Sequence, residues 1–355
     1  MTPYRSRWKL DQNRPKVTVL MSVYNGEAFL REAVESILNQ TFQDFEFLII
    51  NDASTDASRD IILSYNDSRI RLIENEINLG LTKSLIKGID LAKGDYIARM
   101  DCDDISLPIR LEKQIAFMED NVNIGVCGTW AEVFGLSEET WKYPTDHDEI
   151  KITLLFHNVI IHSSVIWRKA LLEEHGLSYN SNFSKAQDYE LWVRCSKLIK
   201  LANIPEALIR YRISKQQIGY NYKPEQIALA DSIRKTQLRE LKIDFTEKQF
   251  NLHKAIALFR VESIRSTIYD SLIWLQYLKK MLNCYYKSDI SDNILAEKCY
   301  DICNSNTTLG LWLWVNYMKY SLKGNNIFLF CKRSGKLFLK CLWRIIFKKT
   351  KEVTQ

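Results

Sequence analysis

The chain has 355 residues, 46% of them hydrophobic and 26% charged, a balance that excludes a disordered or collagen-like chain and leaves room for one large domain or two smaller ones. The formal net charge of +6 belongs to the tail: residues 323–351 carry nine Lys/Arg and no Asp/Glu, and the first 322 residues stand at −2, which argues against a nucleic-acid partner. Eight scattered cysteines, with no Cys-x-x-Cys pair and no His/Cys set at zinc spacing, exclude a disulfide scaffold and fit a reducing compartment.

Residues 1–16 are polar and lack the apolar core of a secretory signal. Lys16 to Ser22 is a β-rich apolar run that predicts a buried first strand, broken at Tyr24-Asn25-Gly26. From Glu27 to Gln40, Phe29, Leu30, Ala33, Val34, Ile37 and Leu38 recur at helical spacing. A second strand is predicted over Phe45 to Asn51. It ends at Asp52-Ala53-Ser54-Thr55-Asp56, whose side chains supply cap chemistry for a helix through Leu63. A third strand over Ile70 to Glu74 leads through Asn78-Leu79-Gly80 to a helix over Thr82 to Ala92. A fourth, Tyr96 to Met100, runs into Asp101-Cys102-Asp103-Asp104. This alternation predicts an α/β fold, a mostly parallel sheet with helices on both faces, whose ligands bind at the carboxyl ends of the strands.

Three strand ends thus place polar groups on one rim: Ser22 to Asn25, Asn51 with Asp52, and Asp101 to Asp104. Residues two apart on an extended backbone face the same way, so Asp101 and Asp103 converge while Cys102 and Asp104 face elsewhere. Two convergent carboxylates suit a hard cation such as Mg²⁺ or Mn²⁺, which commonly accompanies phosphates; Asp-x-Asp alone, common by chance, reads sooner as a solvated acidic turn, and the flanking sequence changes that. There is no Gly-x-Gly-x-x-Gly and no Walker loop. Asp52 suits a base N–H or a ribose hydroxyl, or else the cap of its own helix. Taken together the rim reads as a site for a metal-bound nucleoside diphosphate.

The stretch PKVTVLMSVYNGEAFLREAVESILNQTFQDFEFLIINDASTD resembles the opening of glycosyltransferase family 2, inverting enzymes of GT-A fold that use nucleotide sugars. The likeness continues through NLGLTKSLIKGIDLAKGDYIARMDCDDISLPIRLEKQ, HSSVIWRK and AQDYELWVRCSK, over roughly residues 15–215. It implies a GT-A fold, Rossmann-like, with Asp52 on the uracil or ribose of the donor and Ser22, Tyr24 and Asn25 lining the nucleoside pocket. Asp101 and Asp103 would be the metal-binding pair, with Cys102 between them among the nucleotide-sugar contacts and Lys83 and Arg99 as nearby cations. His162 matches a position near the diphosphate, and a packed, hydrogen-bonded histidine is the other reading. Tyr211-Arg212 resembles the start of a flexible segment that closes over the donor in relatives.

By position Asp188 matches the family's acceptor-activating base. Its own surroundings predict the start of a helix carrying Tyr189, Leu191, Trp192 and Cys195, where the helix amino end would lower its pKa and keep it ionised; an N-cap role is the alternative. Glu190 is the reserve base, and Trp192 is read as a sugar-stacking ring in the nucleotide-sugar site or as core. The chain departs from the family pattern at Gln187, where many relatives carry Glu, and at Ile86, where they usually carry Asn.

Beyond about Tyr220 the pattern becomes helical over Ile227 to Leu241, His253 to Leu282 and Asn293 to Cys303, with Trp274, Tyr277 and Leu278 read as core. No run is long and apolar enough to span a bilayer; Leu309 to Leu322 is broken by Asn316 and Lys319. Lys336, Lys340, Arg344 and Lys348 recur every fourth residue among Leu337, Phe338, Leu339, Leu342, Trp343, Ile345, Ile346 and Phe347, the composition of a helix lying on an anionic membrane. A helix packed on the preceding bundle is the competing reading. The expected organisation is a GT-A domain over residues 1–218, a helical extension over 219–322 and a basic amphipathic tail over 323–355. The expected activity is transfer of a sugar from a nucleotide diphosphate sugar, with UDP preferred by the family, to a lipid-linked saccharide at the cytoplasmic face of a bacterial membrane, with Mn²⁺ or Mg²⁺. A catalytically silent nucleotide-sugar-binding subunit of a polysaccharide assembly complex is the alternative from another class.

Overall fold

The computed structural model describes residues 14–214, 223–320 and 327–352. They form two compact units, one running up to Thr145 and again over Ile160–Gln226, the other made of Asp146–Val159 and the residues from Ile227 onward.

The first unit opens with β1 (Val17–Val23), α1 (Leu30–Leu38), β2 (Phe45–Asn51), α2 (Ser58–Leu63), β3 (Ile70–Glu74), α3 (Leu81–Leu91) and β4 (Tyr96–Asp101). β1 and β2 are buried at every residue, as interior strands covered on both faces must be. β1 pairs in parallel with β2 and β4, and β2 with β3. α1 seals one face through Leu30, Ala33, Val34 and Ile37, the leucine, valine and isoleucine each contributing about 1.5–3 kcal/mol of apolar burial. It starts later than Glu27, because the Glu27 carboxylate accepts the Ala57 N–H (2.9 Å) while the Glu27 N–H donates to Asp56 (3.0 Å). Asp56 also accepts from the Ser58 N–H at the start of α2, so Asp52 is not that helix's cap.

After β4 come β5 (Ile105–Ser106), α4 (Arg110–Asp120), β6 (Ile124–Gly135), β7 (Glu139–Trp141) and, in the second unit, α5 (His147–Thr153). The chain then returns to the first unit with β8 (Ile166–Arg168), α6 (Lys169–Glu174), α7 (Gln187–Leu198) and β9 (Lys200–Ile213). The sheet order is β3-β2-β1-β4-β8-β6-β9-β5, with β7 on β6. β8 lies antiparallel between β4 and β6, so the sheet is parallel on the β1–β4 side and mixed beyond it.

In the second unit α8 (Lys223–Glu240), α9 (Glu247–Ala257), α10 (Arg265–Leu282), α11 (Ser288–Ser305), α12 (Leu311–Tyr320) and α13 (Ile327–Glu352) build a helical core around Trp274, Leu275, Leu278, Leu295 and Cys299. The run read as one helix from His253 to Leu282 is two. Phe259 takes a left-handed φ of 53°, and Arg260 N–H closes back on the Ala255 carbonyl, a helix stop made without the glycine that would have announced it.

Three buried side chains of this unit capture three successive carbonyls: Gln237 donates to Leu154, His253 to Leu155 and Arg234 to Phe156. His253 Nδ1 accepts from the Trp274 indole, and the ring stacks on Phe156. Burial lowers His253 to about 4 and neighbouring His157 to about 3, so both are neutral in the fold. The unfolded chain protonates them near pH 6.5, so this stability is complete above that pH and declines as the pH falls toward the folded values. Urea unfolding at about pH 7.5 and about pH 5 is expected to show His253 losing about 2 kcal/mol, and His253→Gln should flatten the profile by about that amount.

Candidate active site

The parallel register places Ser22 of β1 opposite Asp101 of β4, and the Asp52 N–H bonds to the Val23 carbonyl, so the three predicted strand tips share one rim. Ser22 is buried and Tyr24 half exposed. The Asn25 side-chain oxygen accepts from the Thr55 N–H (2.8 Å), tying the first loop to the turn after β2. A Cβ on Gly26 would stand 3.2 Å from Cys102 Sγ, so the small residue lets that loop approach the Asp-x-Asp. Lys83 is exposed on α3.

Asp52 is 1% exposed and its acceptor capacity is largely used. Oδ1 takes Asn75 Nδ2 (2.7 Å) and the Leu79 N–H (2.9 Å), and Oδ2 takes the Gly80 N–H (2.8 Å). Gly80 sits at φ +83°, which glycine adopts without steric cost, so its amide can point at that carboxylate. Ala53, next in the chain, holds a left-handed φ of 56°. Such strain costs about 1–2 kcal/mol in a residue with a Cβ and persists where surrounding contacts over-determine it.

Asp101 is bonded through both oxygens to the guanidinium of Arg99, itself 1% exposed. Asp103 is half-buried. Asp104, which the alternation along the strand sent away from the site, is instead buried beside it. Its carboxylate accepts from Ser163 Oγ and, at 2.8 Å, from the Arg212 N–H, and burial followed by Asp103 and Asp101 pushes it well up. Arg212 also donates to the Asp103 carbonyl (2.8 Å) and to Glu32 (2.6 Å), and lies over the rings of Phe29 and Phe134. Arg110, fully buried, donates to the Arg99 carbonyl from behind.

His162 shares a 2.6 Å hydrogen bond with the Tyr179 hydroxyl, and burial with the nearby Arg99 charge holds the imidazole well below its usual range. Asp188 is the second residue of α7, as its pattern predicted, but its pKa moves the opposite way from that expected. Burial raises it, and this outweighs the backbone N–H groups of the helix start and the Arg99 charge. Gln187 is buried, and Glu190, the reserve base, is paired with Arg194. Trp192 requires correction as a site residue: it is fully buried against Trp167, with ring centroids 6.0 Å apart, and presents no face to a sugar. Tyr179 carries no local motif, and the anchoring role of Asp104 depends on partners at Ser163 and Arg212 that lie far along the chain.

The ligand oxygens of Asp101, Asp103 and Asp104 lie within 4.8 Å of one another, a hard, negative donor set that suits a divalent cation. Arg99 offsets only part of that charge. The acidic cluster thus lies at the tip of β4, at the carboxyl edge of the parallel half of the sheet.

Residues 18–176 match the family described as glycosyl transferase family 2. An uncharacterized glycosyltransferase of Haemophilus influenzae is 34% identical over 278 residues, 73% of this chain and 86% of that one. The O-antigen biosynthesis glycosyltransferase WbnJ of Escherichia coli is 33% identical over 225 residues, 60% of this chain and 84% of that one. Among solved structures, S. aureus TarS 1-349 in complex with UDP-GlcNAc superposes with a TM-score of 0.55 at 17% identity, over 82% of this chain and 90% of that one, a likeness of fold. The chain belongs to glycosyl transferase family 2.

Truncating Asp104 to Ala would strip the buried Ser163 hydroxyl and Arg212 N–H of their acceptor. It is expected to lower the melting temperature of the first unit by about 4–8 °C in a calorimetric scan. Asp104→Asn, which keeps an oxygen for Arg212, should recover more than half of that loss.

Proposed function

We propose that the chain is an inverting transferase that moves a sugar from a nucleotide diphosphate sugar, with UDP the expected nucleotide, to a hydroxyl of a polyprenyl-diphosphate-linked saccharide in bacterial surface polysaccharide synthesis. The relative named for O-antigen biosynthesis and the fold neighbour holding UDP-GlcNAc support the donor and acceptor classes. The observation that carries the reading is the cluster of Asp101, Asp103 and Asp104 at the carboxyl edge of the parallel half of the sheet, opposite Ser22 of β1; the field of Arg99 and Asp101 on the Asp188 carboxylate agrees with it.

In this reading Ser22, Tyr24 and Asn25 border the nucleoside, and Asp52, expected on the uracil or ribose itself, is 1% exposed and instead fixes the Leu79–Gly80 turn beside it. Lys83, Cys102 and His162 lie around the diphosphate. Asp101 and Asp103 would hold Mn²⁺ or Mg²⁺, while Asp104 is occupied by Ser163 and Arg212. The ion, when bound, supplies charge neutralisation for the diphosphate leaving group. Asp188 takes the proton of the acceptor hydroxyl as that oxygen bonds to the anomeric carbon and the carbon–diphosphate bond breaks on the opposite face, one displacement with inversion. The raised pKa makes Asp188 a stronger base than an exposed aspartate.

The test is a panel of nucleotide sugars with Mn²⁺ or Mg²⁺ and a lipid-diphosphate sugar acceptor, read by product mass and anomeric configuration. Asp188→Asn is expected to lower kcat by about 10²–10⁴-fold with donor affinity retained. The acid limb of kcat/KM should lie above the ordinary carboxylate value of 3.8. Full turnover by Asp188→Asn, or a retained anomeric configuration, would overturn the mechanism.

No helix among the described residues is long and apolar enough to cross a membrane. Membrane contact is assigned to α13, which has two sides. Leu337 and Cys341 are buried in the helical core, Phe338 meets Trp314 with centroids 5.1 Å apart, and Ser334 accepts from the Trp314 indole. Lys332, Lys336, Leu339, Lys340, Trp343 and Arg344 are exposed. The helix is therefore packed on its bundle along one side, and a basic, partly apolar stripe faces outward; the side chains from residue 345 onward lie outside the described residues. At about 1 kcal/mol per charge, replacing Lys336, Lys340 and Arg344 by Gln should weaken sedimentation with phosphatidylglycerol vesicles by about 100-fold. Equal partitioning would remove the membrane role.

A further inference from the structure

Outside the acidic cluster the same rim carries an aromatic surface that the transfer reading does not use. In the sheet register Trp141 of β7 stands opposite Ala131 of β6, and Ala131 opposite Ile209 of β9; two residues along, Glu139 stands opposite Val133, and Val133 opposite Tyr211. Cross-strand partners and residues two apart share a face, so Glu139, Trp141 and Tyr211 rise from the same side of the sheet. The Trp141 and Tyr211 rings are 5.0 Å apart at 38°. The indole N–H donates to Glu139 (2.9 Å), which fixes the ring, and both rings are partly exposed. Underneath they pack on Ala131, Ile161 and Ile209, the middle one being the residue before His162.

Arg212, the residue after Tyr211 on β9, donates its N–H to the Asp104 carboxylate (2.8 Å) and its guanidinium to the Asp103 carbonyl (2.8 Å), so the aromatic pair adjoins the acidic cluster. Burial, then the carboxylates of Asp104, Asp101, Asp103 and Asp188, pushes the Tyr211 phenol well up. In the sheet order β6 and β9 lie on the far side of β4 from β1 and β2, whose tips carry the nucleoside-side residues. An apolar, partly exposed ring pair with a carboxylate at its edge matches one kind of ligand. A pyranose ring offers a C–H face to the aromatics and hydroxyls to the acid.

We propose that Trp141 and Tyr211, with Glu139 at their edge, form the platform on which a sugar ring of the acceptor stacks, next to Asp188 and on the side of β4 away from the nucleoside. The assignment names the acceptor subsite of the transfer reading and rests on that reading for the word acceptor; the sugar-binding surface itself is tested separately. Tyr211 orients the ring through its hydroxyl, and Trp141 supplies the stacking face.

The test uses the full chain and saturation-transfer NMR with octyl β-glucoside, octyl β-galactoside and octyl N-acetyl-β-glucosaminide. Calorimetry with UDP or GDP and Mn²⁺ reads the donor half in the same samples. Ring protons of at least one glycoside should take up saturation in the wild type. That signal should fall about tenfold in Trp141→Ala and persist in Trp141→Phe, which keeps an aromatic face. Tyr211→Phe should keep the ring contact and alter which ring protons are closest. Saturation confined to the octyl chain, no ring saturation in the wild type, or equal signals in wild type and Trp141→Ala would each overturn the platform. A parallel loss of nucleotide affinity in Trp141→Ala would overturn it too, by placing Trp141 in the donor half. Glycoside binding by a wild type that takes up no nucleotide would sink the donor assignment and support the platform.

Discussion

The rim depends on a guanidinium buried beneath an acidic cluster. Arg99 stands two residues before Asp101 and bonds both of its oxygens. Its own N–H and carbonyl are held by the Val165 carbonyl and by Arg110. An ion pair withdrawn from water gains little net stability, because the desolvation of both charges offsets their attraction, and losing either partner would leave the other stranded. Its consequence is therefore geometric. Asp101 is held in one orientation, part of the negative charge of its neighbours is balanced, and the same cation acts on His162, Tyr179 and Asp188.

Around that pair the cluster divides its labour. The Asp104 carboxylate joins the end of β4 to the turn at Ser163 and to β9 at Arg212, three segments far apart in the chain. Arg212 then reaches across to Glu32 and two aromatic rings, so the strand end that follows Tyr211 is fixed on the side opposite the tyrosine. A buried carboxylate that accepts two such bonds is an anchor, set within a triad of aspartates able to coordinate a divalent metal. The neutral His162–Tyr179 pair, within the field of Arg99, adds no further charge to a site that already concentrates it.

The helical unit is built on a different economy of polar groups. The segment Asp146–Val159 would carry exposed carbonyls into an apolar interior, and Gln237, His253 and Arg234 each satisfy one. The same helices leave α13 with a buried side at Leu337 and Cys341 and an outward side at Leu339 and Trp343. A single amphipathic pattern thus serves packing on one side and, in the proposed role, a lipid surface on the other.

Much of the first unit was legible in the chain. β2 and β3 fall on the residues their patterns mark, and the first four strands and their helices appear in the expected order, because alternation and helical spacing are local properties of neighbouring residues. The charge of the rim was legible for the same reason: Asp101, Asp103 and Asp52 each sit where an apolar run stops. The mixed half of the sheet was not, since β8 and β9 join it only through pairings between distant segments. The partners of Asp104 lie 59 and 108 residues away, beyond any spacing rule. Trp192 and Asp188 show the limit most directly. Periodicity placed both on one helix, but only the packing of Trp167 decided that the indole is core, and only burial decided that the aspartate's pKa rises where a helix start alone would lower it. What a residue is and which element it joins follow from its neighbours in sequence; how strongly it is desolvated and which charges face it follow from segments that meet only once the chain has folded.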